Sequence, residues 1–251
     1  MRDTIVHANG HNKGILMGLM RSGIWAIVRK IPSYLRHLVY RNTFRDRVLN
    51  QKAIVRLLGE EPLVILELGA ADGQDTNKLL SNLRHPDSKV YSFEPDRRNI
   101  LSFKRNVIDP RAVLIEKAIG PYSGQGSLHI SNTIYSSSIR KPNEEVLRSQ
   151  WPEMTFDEIE TVDFTTLDDA VETLGLSKID FIWADVQGAE EDIISGGAQS
   201  LAKTRYLYSE YSSLEFYEGA LTLHDLRSLL GVDWQMIKDY GSEALFRNLG
   251  N

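Results

Sequence analysis

Two acidic residues, each at the end of an apolar run, have the spacing of a small-molecule site. Glu67 is the only charge in the run Leu63-Val-Ile-Leu-Glu-Leu68, and Glu94 directly follows the run Lys89-Val-Tyr-Ser-Phe93. Nearly continuous apolar runs are typical of strands buried on both faces of a parallel sheet. Because ligands bind at the carboxyl ends of such strands, we expect both carboxylates to face one cleft.

Small residues follow the first acid and separate it from a helical pattern that begins near Asp75. The turn consists of Gly69, Ala70, Ala71, Asp72 and Gly73. A turn of small residues lets a ligand approach the backbone closely, and the start of a helix offers free N–H groups. Strand, turn and helix together predict a nucleotide-binding unit.

The spacing of the glycines indicates the kind of nucleotide. A dinucleotide fingerprint, Gly-x-Gly-x-x-Gly, holds a pyrophosphate, whereas three residues separate Gly69 from Gly73 here. Glu67 would repel a pyrophosphate but suits the amino and sulfonium groups of S-adenosylmethionine (SAM). Glu94, 25 positions after Gly69, is placed to accept ribose hydroxyls. Each acid alone could be a loop or capping carboxylate, but the two together predict an adenosine cofactor site.

Composition places the chain among ordinary globular proteins. Its 251 residues are 42% hydrophobic and 25% charged, which fits one large α/β domain with an appendage. No cysteine is present, so disulfides, thiolate metal sites and cysteine nucleophiles are excluded. The net charge of −5 gives no case for binding to nucleic acid. We expect a cytoplasmic location, with membrane association as a further option.

Basic residues are concentrated near the N-terminus, where positions 21–47 hold seven Lys and Arg residues against Asp46 alone. Helical patterns predict that residues 1–60 form an N-terminal helical extension or lid, and that residues 61–251 form the cofactor-binding domain. The basic face of the extension could contact an anionic membrane or glycolipid, or it could be solvated or pair with the acidic domain. The apolar stretch 15–28 is too short and too interrupted for a membrane span.

Strand and helix patterns alternate from residue 61 to the C-terminus. The further strands are predicted at 112–117, 126–131, 160–164, 179–184 and 205–211, with a hairpin at 233–238 and 243–247. This order predicts a doubly wound, Rossmann-like α/β fold with a seven-stranded, mostly parallel sheet and a C-terminal antiparallel hairpin strand. Residues 132–158 are predicted to be irregular, and a long insert of this kind is usually functional.

Four stretches, in this order, resemble the motifs of the FkbM family of SAM-dependent methyltransferases, within the Rossmann-like class I methyltransferase superfamily. They are Leu66-Glu-Leu-Gly-Ala-Ala-Asp-Gly73, Phe93-Glu-Pro-Asp96, Val162-Asp-Phe-Thr-Thr-Leu-Asp-Asp169 and Ile179-Asp-Phe-Ile-Trp-Ala-Asp-Val-Gln-Gly-Ala-Glu190. The resemblance covers residues 63–248 and implies methyl transfer from SAM to a hydroxyl of a sugar or glycan, a glycolipid or a secondary metabolite. Trp183 and Gln187 depart from the family, which usually has lysine and glutamate at these positions.

The resemblance also implies which residues contact the cofactor. The predicted cofactor residues are Glu67, Gly69, Ala70, Ala71, Asp72, Gly73, Glu94, Pro95, Ala118, Ser138 and Asp185. Tyr135 and the three serines at 136–138 are expected to face the cofactor pocket, the alternative being a solvated loop.

Methyl transfer to a hydroxyl requires alignment of the acceptor oxygen with the methyl group, and a base that removes the proton. Asp185, which ends the strand beside the central one, is the predicted base or orienting carboxylate, or else a helix-capping acid. Glu210 ends the neighbouring strand and is the second candidate. The pair could hold Mg²⁺ or Ca²⁺ and acidify a sugar diol, or could be merely adjacent. His129 and His224 are candidate bases by residue type alone.

The acceptor is expected to be a small molecule or a glycan, and an oligomer is left open. An aromatic group follows the fifth strand of the predicted parallel sheet and could stack on a sugar ring or pack in the core. It consists of Tyr208, Tyr211, Phe216 and Tyr217.

Two other functions remain open from the sequence. An NAD-dependent sugar-modifying oxidoreductase or epimerase is disfavoured by the missing second glycine, by Glu67 and by the absence of a Tyr-x-x-x-Lys pair. A non-catalytic, methyltransferase-like binding module is kept open by Trp183 and Gln187.

Overall fold

The computed structural model describes residues 49–251. The predicted basic extension, with its roles as a lid or a membrane contact, therefore lies almost entirely outside the described residues. Only its last helix is described; this helix begins after Asn50, whose side chain accepts the N–H of Ala53 at 3.0 Å. Ile54 and Leu58 of this helix are buried in the core.

The described chain alternates between helices and strands. The helices are α1 (Gln51–Leu58), α2 (Gln74–Asn82), α3 (Arg97–Asn106), α4 (Glu144–Gln150), α5 (Leu167–Thr173), α6 (Glu190–Ser195), α7 (Ala198–Ala202) and α8 (Leu223–Leu230). The strands are β1 (Val64–Leu68), β2 (Lys89–Phe93), β3 (Ala112–Ile115), β4 (Ala118–Ile119), β5 (Gly124–Ile130), β6 (Glu158–Thr165), β7 (Ile179–Ala184), β8 (Thr204–Glu210), β9 (Trp234–Asp239) and β10 (Glu243–Asn248). None of these helices has the length and apolar character needed to cross a bilayer.

The main sheet has seven strands in the order β3-β2-β1-β7-β8-β10-β9. Strands β3, β2, β1, β7 and β8 are parallel to one another, and β10 runs antiparallel to both β8 and β9. The predicted fold class, including the reversed hairpin strand, is confirmed. The order reverses between β1 and β7, so that the carboxyl ends of these strands open a crevice of the kind in which ligands bind in such sheets.

Helices cover both faces of the sheet because consecutive residues of each strand point to opposite sides. Ile65 of β1 packs with α1 and α2, whereas Leu66 and Leu68 pack in a second cluster with α5 to α8. All three side chains have no solvent exposure. This burial on both faces explains why β1 is almost entirely aliphatic.

A second, three-stranded sheet in the order β4-β6-β5 was not predicted as a separate unit. The two short strands expected at 126–131 and 160–164 form its antiparallel pair, and β4 adds to β6 in parallel. The insert between β5 and β6 is less irregular than expected, since it contains α4, capped by the side chain of Asn143, which accepts the Val146 N–H at 3.2 Å. This sheet carries the loop 131–142 to the carboxyl edge of the main sheet.

Candidate functional site

An open cleft lies at the carboxyl ends of β1, β2 and β7, beside the loop 131–142. Its wall includes all of the predicted cofactor residues except Gly73. Gly73 instead precedes α2 with φ 79°, and a Cβ at this position would lie 2.4 Å from Val107 and 2.8 Å from Phe103. The absence of its side chain therefore allows the chain to pack closely on α3, and does not shape the cleft.

The turn after β1 is pressed against the end of β7. Gly69 has φ 91°, and a Cβ there would lie 2.0 Å from the carbonyl oxygen of Asp185. The N–H of Asp185 donates to the Leu68 carbonyl at 2.9 Å. Only glycine meets both conditions, because its missing Cβ permits positive φ as well as the close approach. The N–H groups of Gly69 and Ala70 both donate to the Phe93 carbonyl at 3.0 Å, so that the turn also wraps the end of β2.

Glu94 connects this turn to the segment after β2. Its two carboxylate oxygens accept the N–H of Ala71 at 2.7 Å and the N–H of Asp96 at 2.8 Å. Burial raises the pKa of Glu94 to about 7, although these hydrogen bonds oppose the shift. A carboxylate has about four acceptor positions, so Glu94, on the cleft wall, retains the capacity to accept further donors such as ribose hydroxyls.

Glu67 lies on the same wall and is held by two hydroxyls. Thr76 and Ser92 donate to its Oε2 at 2.5 Å and 2.8 Å. Burial raises the pKa of Glu67 to about 8, against the opposing effect of both hydroxyls. A positive charge in the cleft would stabilise the ionised carboxylate. Sequence reasoning missed Thr76 and Ser92, although a hydroxyl one helical turn beyond a glycine turn is a weak signal of such a contact.

The hydroxyl-rich loop is anchored to three separate parts of the site. Tyr135 donates to Asp72 at 3.3 Å, Ser137 donates to Asp96 at 2.9 Å, and Ser138 donates to the carbonyl of Gln187 at 2.7 Å. These three loop residues lie on the cleft wall, whereas the buried Ser136 does not. The loop thus connects the turn after β1 with the segment after β7.

Asp185 and Glu210 end the adjacent strands β7 and β8, and Gln187 lies between them. The side-chain nitrogen of Gln187 donates to Asp185 Oδ1 and, at 3.2 Å, to Glu210 Oε2. Asp185 and Gln187 line the cleft, but Glu210 does not. Within residues 49–251, no group of three or more His, Asp or Glu side chains is placed to hold a metal ion. The Mg²⁺ or Ca²⁺ alternative is therefore not supported, since an amide donor occupies the position between the two acids.

Neither candidate histidine reaches the cleft. His129 lies on β5, where burial lowers its pKa, and His224 is exposed on α8. The sequence offered only their residue type, which carries no information about position.

The aromatic side chains in and after β8 belong to the core. Tyr208, Tyr211, Phe216 and Tyr217 are each 5% exposed or less. Of the two alternatives for this group, core packing is the one that the structure shows. Trp183, which departs from the family pattern, packs edge-on against Tyr208 at 5.9 Å between ring centroids and also lines the cleft. Cleft residues that the sequence did not predict include Gln74, Lys78, Asn99, Lys117 and Ile119.

Comparisons with known proteins identify a matching family and a similar protein. The family model described as the methyltransferase FkbM domain matches residues 67–244. The chain is 40% identical over 188 residues to the 2-O-methyltransferase NoeI of Sinorhizobium fredii, covering 71% of this chain and 75% of that protein.

Two methyltransferases are among the solved structures that align with this chain. The methyltransferase FkbM of Methylobacillus flagellatus aligns with a TM-score of 0.48 and 14% identity, covering 91% of this chain and 59% of that chain. The present chain thus spans less than two thirds of that relative. The magnesium protoporphyrin IX methyltransferase ChlM of Synechocystis, solved with bound SAM, aligns with a TM-score of 0.46 and 9% identity, covering 97% of this chain and 98% of that chain.

Proposed function

The chain belongs to the FkbM family of SAM-dependent O-methyltransferases, and we propose that this protein methylates a hydroxyl of a sugar, carried by a glycan, a glycolipid or a secondary metabolite. The name of its relative, a 2-O-methyltransferase, supports an oxygen acceptor. The observation that carries the proposal is that Glu67 and Glu94 both line one cleft. The turn after Glu67 also lines this cleft, and at Gly69 a side chain would collide with the carbonyl oxygen of Asp185.

The residues of the cleft fit SAM by charge and by shape. Glu94 would accept the ribose hydroxyls, and Glu67 lies where it would favour the positively charged methionine end. Pro95, Ala118 and Ile119 supply an apolar part of the wall that suits an adenine ring. When bound, SAM supplies an activated methyl group on a sulfonium.

Asp185 is the residue that we assign as the base or orienting carboxylate. It lines the cleft beside Gly69, and its Oδ1 accepts a hydrogen bond from Gln187. A carboxylate in hydrogen-bonding distance of an acceptor hydroxyl would orient its oxygen and take its proton as the methyl group is transferred. Glu210 lies behind Gln187 and supports this arrangement without reaching the cleft wall.

The test measures binding and transfer separately. Calorimetry with SAM and with NAD distinguishes a methyltransferase from the oxidoreductase alternative; we expect binding of SAM alone. Methyl-labelled SAM is then incubated with a panel of mono- and oligosaccharides, and the products are identified by mass spectrometry. Label on a sugar oxygen supports the proposal. Binding of SAM without transfer to any member of the panel would favour the binding-module alternative, and binding of NAD would contradict the proposal.

A further inference from the structure

One side-chain amide contacts two carboxylates, of which Asp185 lines the cleft and Glu210 does not. Gln187 Nε2 donates both to Asp185 Oδ1 and to Glu210 Oε2. The two acids end the neighbouring parallel strands β7 and β8, and such strands lie about 5 Å apart. Two ionised carboxylates at this spacing repel each other, so a donor shared by both stabilises their arrangement.

The backbone around Gln187 aims this amide. Gln187 has φ 55°, one of two positive φ values among the non-glycine residues of the described chain. Its carbonyl accepts the Ser138 hydroxyl at 2.7 Å, and its Oε1 lies 3.2 Å from the hydroxyl of Tyr217. Left-handed backbone in a residue with a long side chain is uncommon, and it is found where the surroundings enforce it. Three chain segments thus converge to place one amide group.

The negative charge of this pair affects several ionisable groups around it. Burial and the charge of Asp185 raise the pKa of Glu243 to about 8 and that of Glu190 to about 7. Burial, together with the charges of the two acids and of Glu190, also raises the pKa of Tyr217. Arg140 acts in the opposite direction on Glu190. An additional negative charge here would therefore be strongly unfavourable.

We propose that Gln187 is a positioning residue, whose amide orients Asp185 for proton removal while leaving the charge of both acids unchanged. This inference rests on the proposed function, since it presumes that Asp185 acts on the acceptor hydroxyl. A methionine at position 187 would keep the length of the side chain but lose the donor. A glutamate, which the family usually has here together with lysine at position 183, would keep the shape but, beside Trp183, would place a third carboxylate against the other two.

Two variants, Gln187→Met and Gln187→Glu, test the role against the matched control Gln199→Glu, which makes the same charge change on the exposed side of α7. With a sugar acceptor identified from the panel, we expect kcat to fall about 10- to 100-fold in both variants at position 187, because a misplaced reacting group costs rate. The Kd for S-adenosylhomocysteine should change less than about twofold, and the control should retain the wild-type kcat. A wild-type kcat in Gln187→Met, or a loss of cofactor affinity as large as the loss of rate, would overturn the proposal.

A second measurement needs no acceptor. A glutamate at position 187 should have a raised pKa in the folded protein, so stability is lost as pH rises. The unfolding temperature of Gln187→Glu should therefore fall further below that of the wild type at about pH 8 than at about pH 5, whereas Gln199→Glu should show no such trend. A decrease in unfolding temperature that does not depend on pH would show that residue 187 does not contact the two acids. Failure of the wild type to bind SAM would contradict the proposed function instead. The comparison of unfolding temperatures at the two pH values would still show whether residue 187 contacts the two acids.

Discussion

The two sides of the cleft hold their carboxylates by different means. On the cofactor side, Glu94 accepts two backbone N–H groups, and Glu67 accepts two short hydroxyl side chains. On the acceptor side, Asp185 and Glu210 share the end of one long amide side chain. Backbone donors are present whatever the side chains are, whereas the amide depends on a single residue. The contacts of Glu94 therefore do not depend on the side chains of its donors. Those of Glu67 depend on Thr76 and Ser92, and the contact shared by Asp185 and Glu210 depends on Gln187.

The two sides meet at Gly69. The carbonyl oxygen of Asp185 lies where a Cβ of residue 69 would be, and the Asp185 N–H bonds to the carbonyl of Leu68. A shift of either segment is therefore transmitted to the other.

The largest effect is expected on the acceptor side, from Asp185→Asn. Loss of the base should lower kcat by about 10²- to 10⁴-fold, while the SAM affinity, which depends on the cofactor side, stays within about threefold. Steady-state kinetics and calorimetry measure the two quantities. Asp163→Asn, on an exposed position of β6, is the matched control. Retained turnover in Asp185→Asn would remove the base role from this residue.

The contact between the two sides at Gly69 and Asp185 is tested by Gly69→Ala. The clash with the Asp185 carbonyl and the positive φ together should lower the free energy of unfolding by about 3 kcal/mol and should also weaken SAM binding. Gly175→Ala separates the two causes, since Gly175 has φ 64° but no atom within 4 Å of the added Cβ; its cost should be about 1 kcal/mol. Denaturant unfolding measures both. Equal costs would show that the contact between the two sides contributes nothing.

On the cofactor side, Glu94→Ala should weaken SAM binding by about 1.5–3 kcal/mol, the scale of hydrogen bonds to a charged group. At saturating SAM, kcat should stay close to the wild-type value, which is the opposite pattern to Asp185→Asn. Calorimetry and kinetics check this pair of results, with Glu116→Ala at an exposed position after β3 as the control. An unchanged affinity would place Glu94 outside the cofactor site.

The smallest effect concerns pH and Glu67. Because the pKa of Glu67 is raised to about 8 by burial, the folded protein without ligand holds a proton there at neutral pH. A positively charged ligand favours the ionised form, so SAM binding should release the proton and SAM affinity should rise with pH. For one proton, the rise is at most about tenfold per pH unit. Titrations between about pH 6 and about pH 7.5 measure the slope.

Glu67→Gln, which cannot ionise, should flatten this slope. The same raised pKa means that the ligand-free wild type loses stability as pH rises from about 4.5 to about 8, and the variant should lose less. A slope that is identical in wild type and variant would assign the pH dependence to Glu94, whose pKa is also raised.

The sequence alone determined those features that depend on residues close together along the chain. The aliphatic run before Gly69 forms a strand buried on both faces. The last two predicted strands form the hairpin β9–β10, in which β10 runs antiparallel to β8. Glu67 and Glu94 share a cleft because each lies at or just after the end of a parallel strand, and the carboxyl ends of parallel strands meet at one edge of the sheet. These inferences need only the period of the side chains and the direction of the strands.

Only the tertiary structure decided which distant side chains meet. The contact of Gln187 with Asp185 and Glu210 depends on the register of β7 against β8 and on a left-handed residue in the following loop. The family resemblance predicted that the loop with Ser138 faces the cofactor pocket, but the separate sheet of β4, β5 and β6 that carries this loop was not predicted. The physical reason is that such contacts are set by strand pairing and loop geometry over long separations, which residue type and local spacing do not specify.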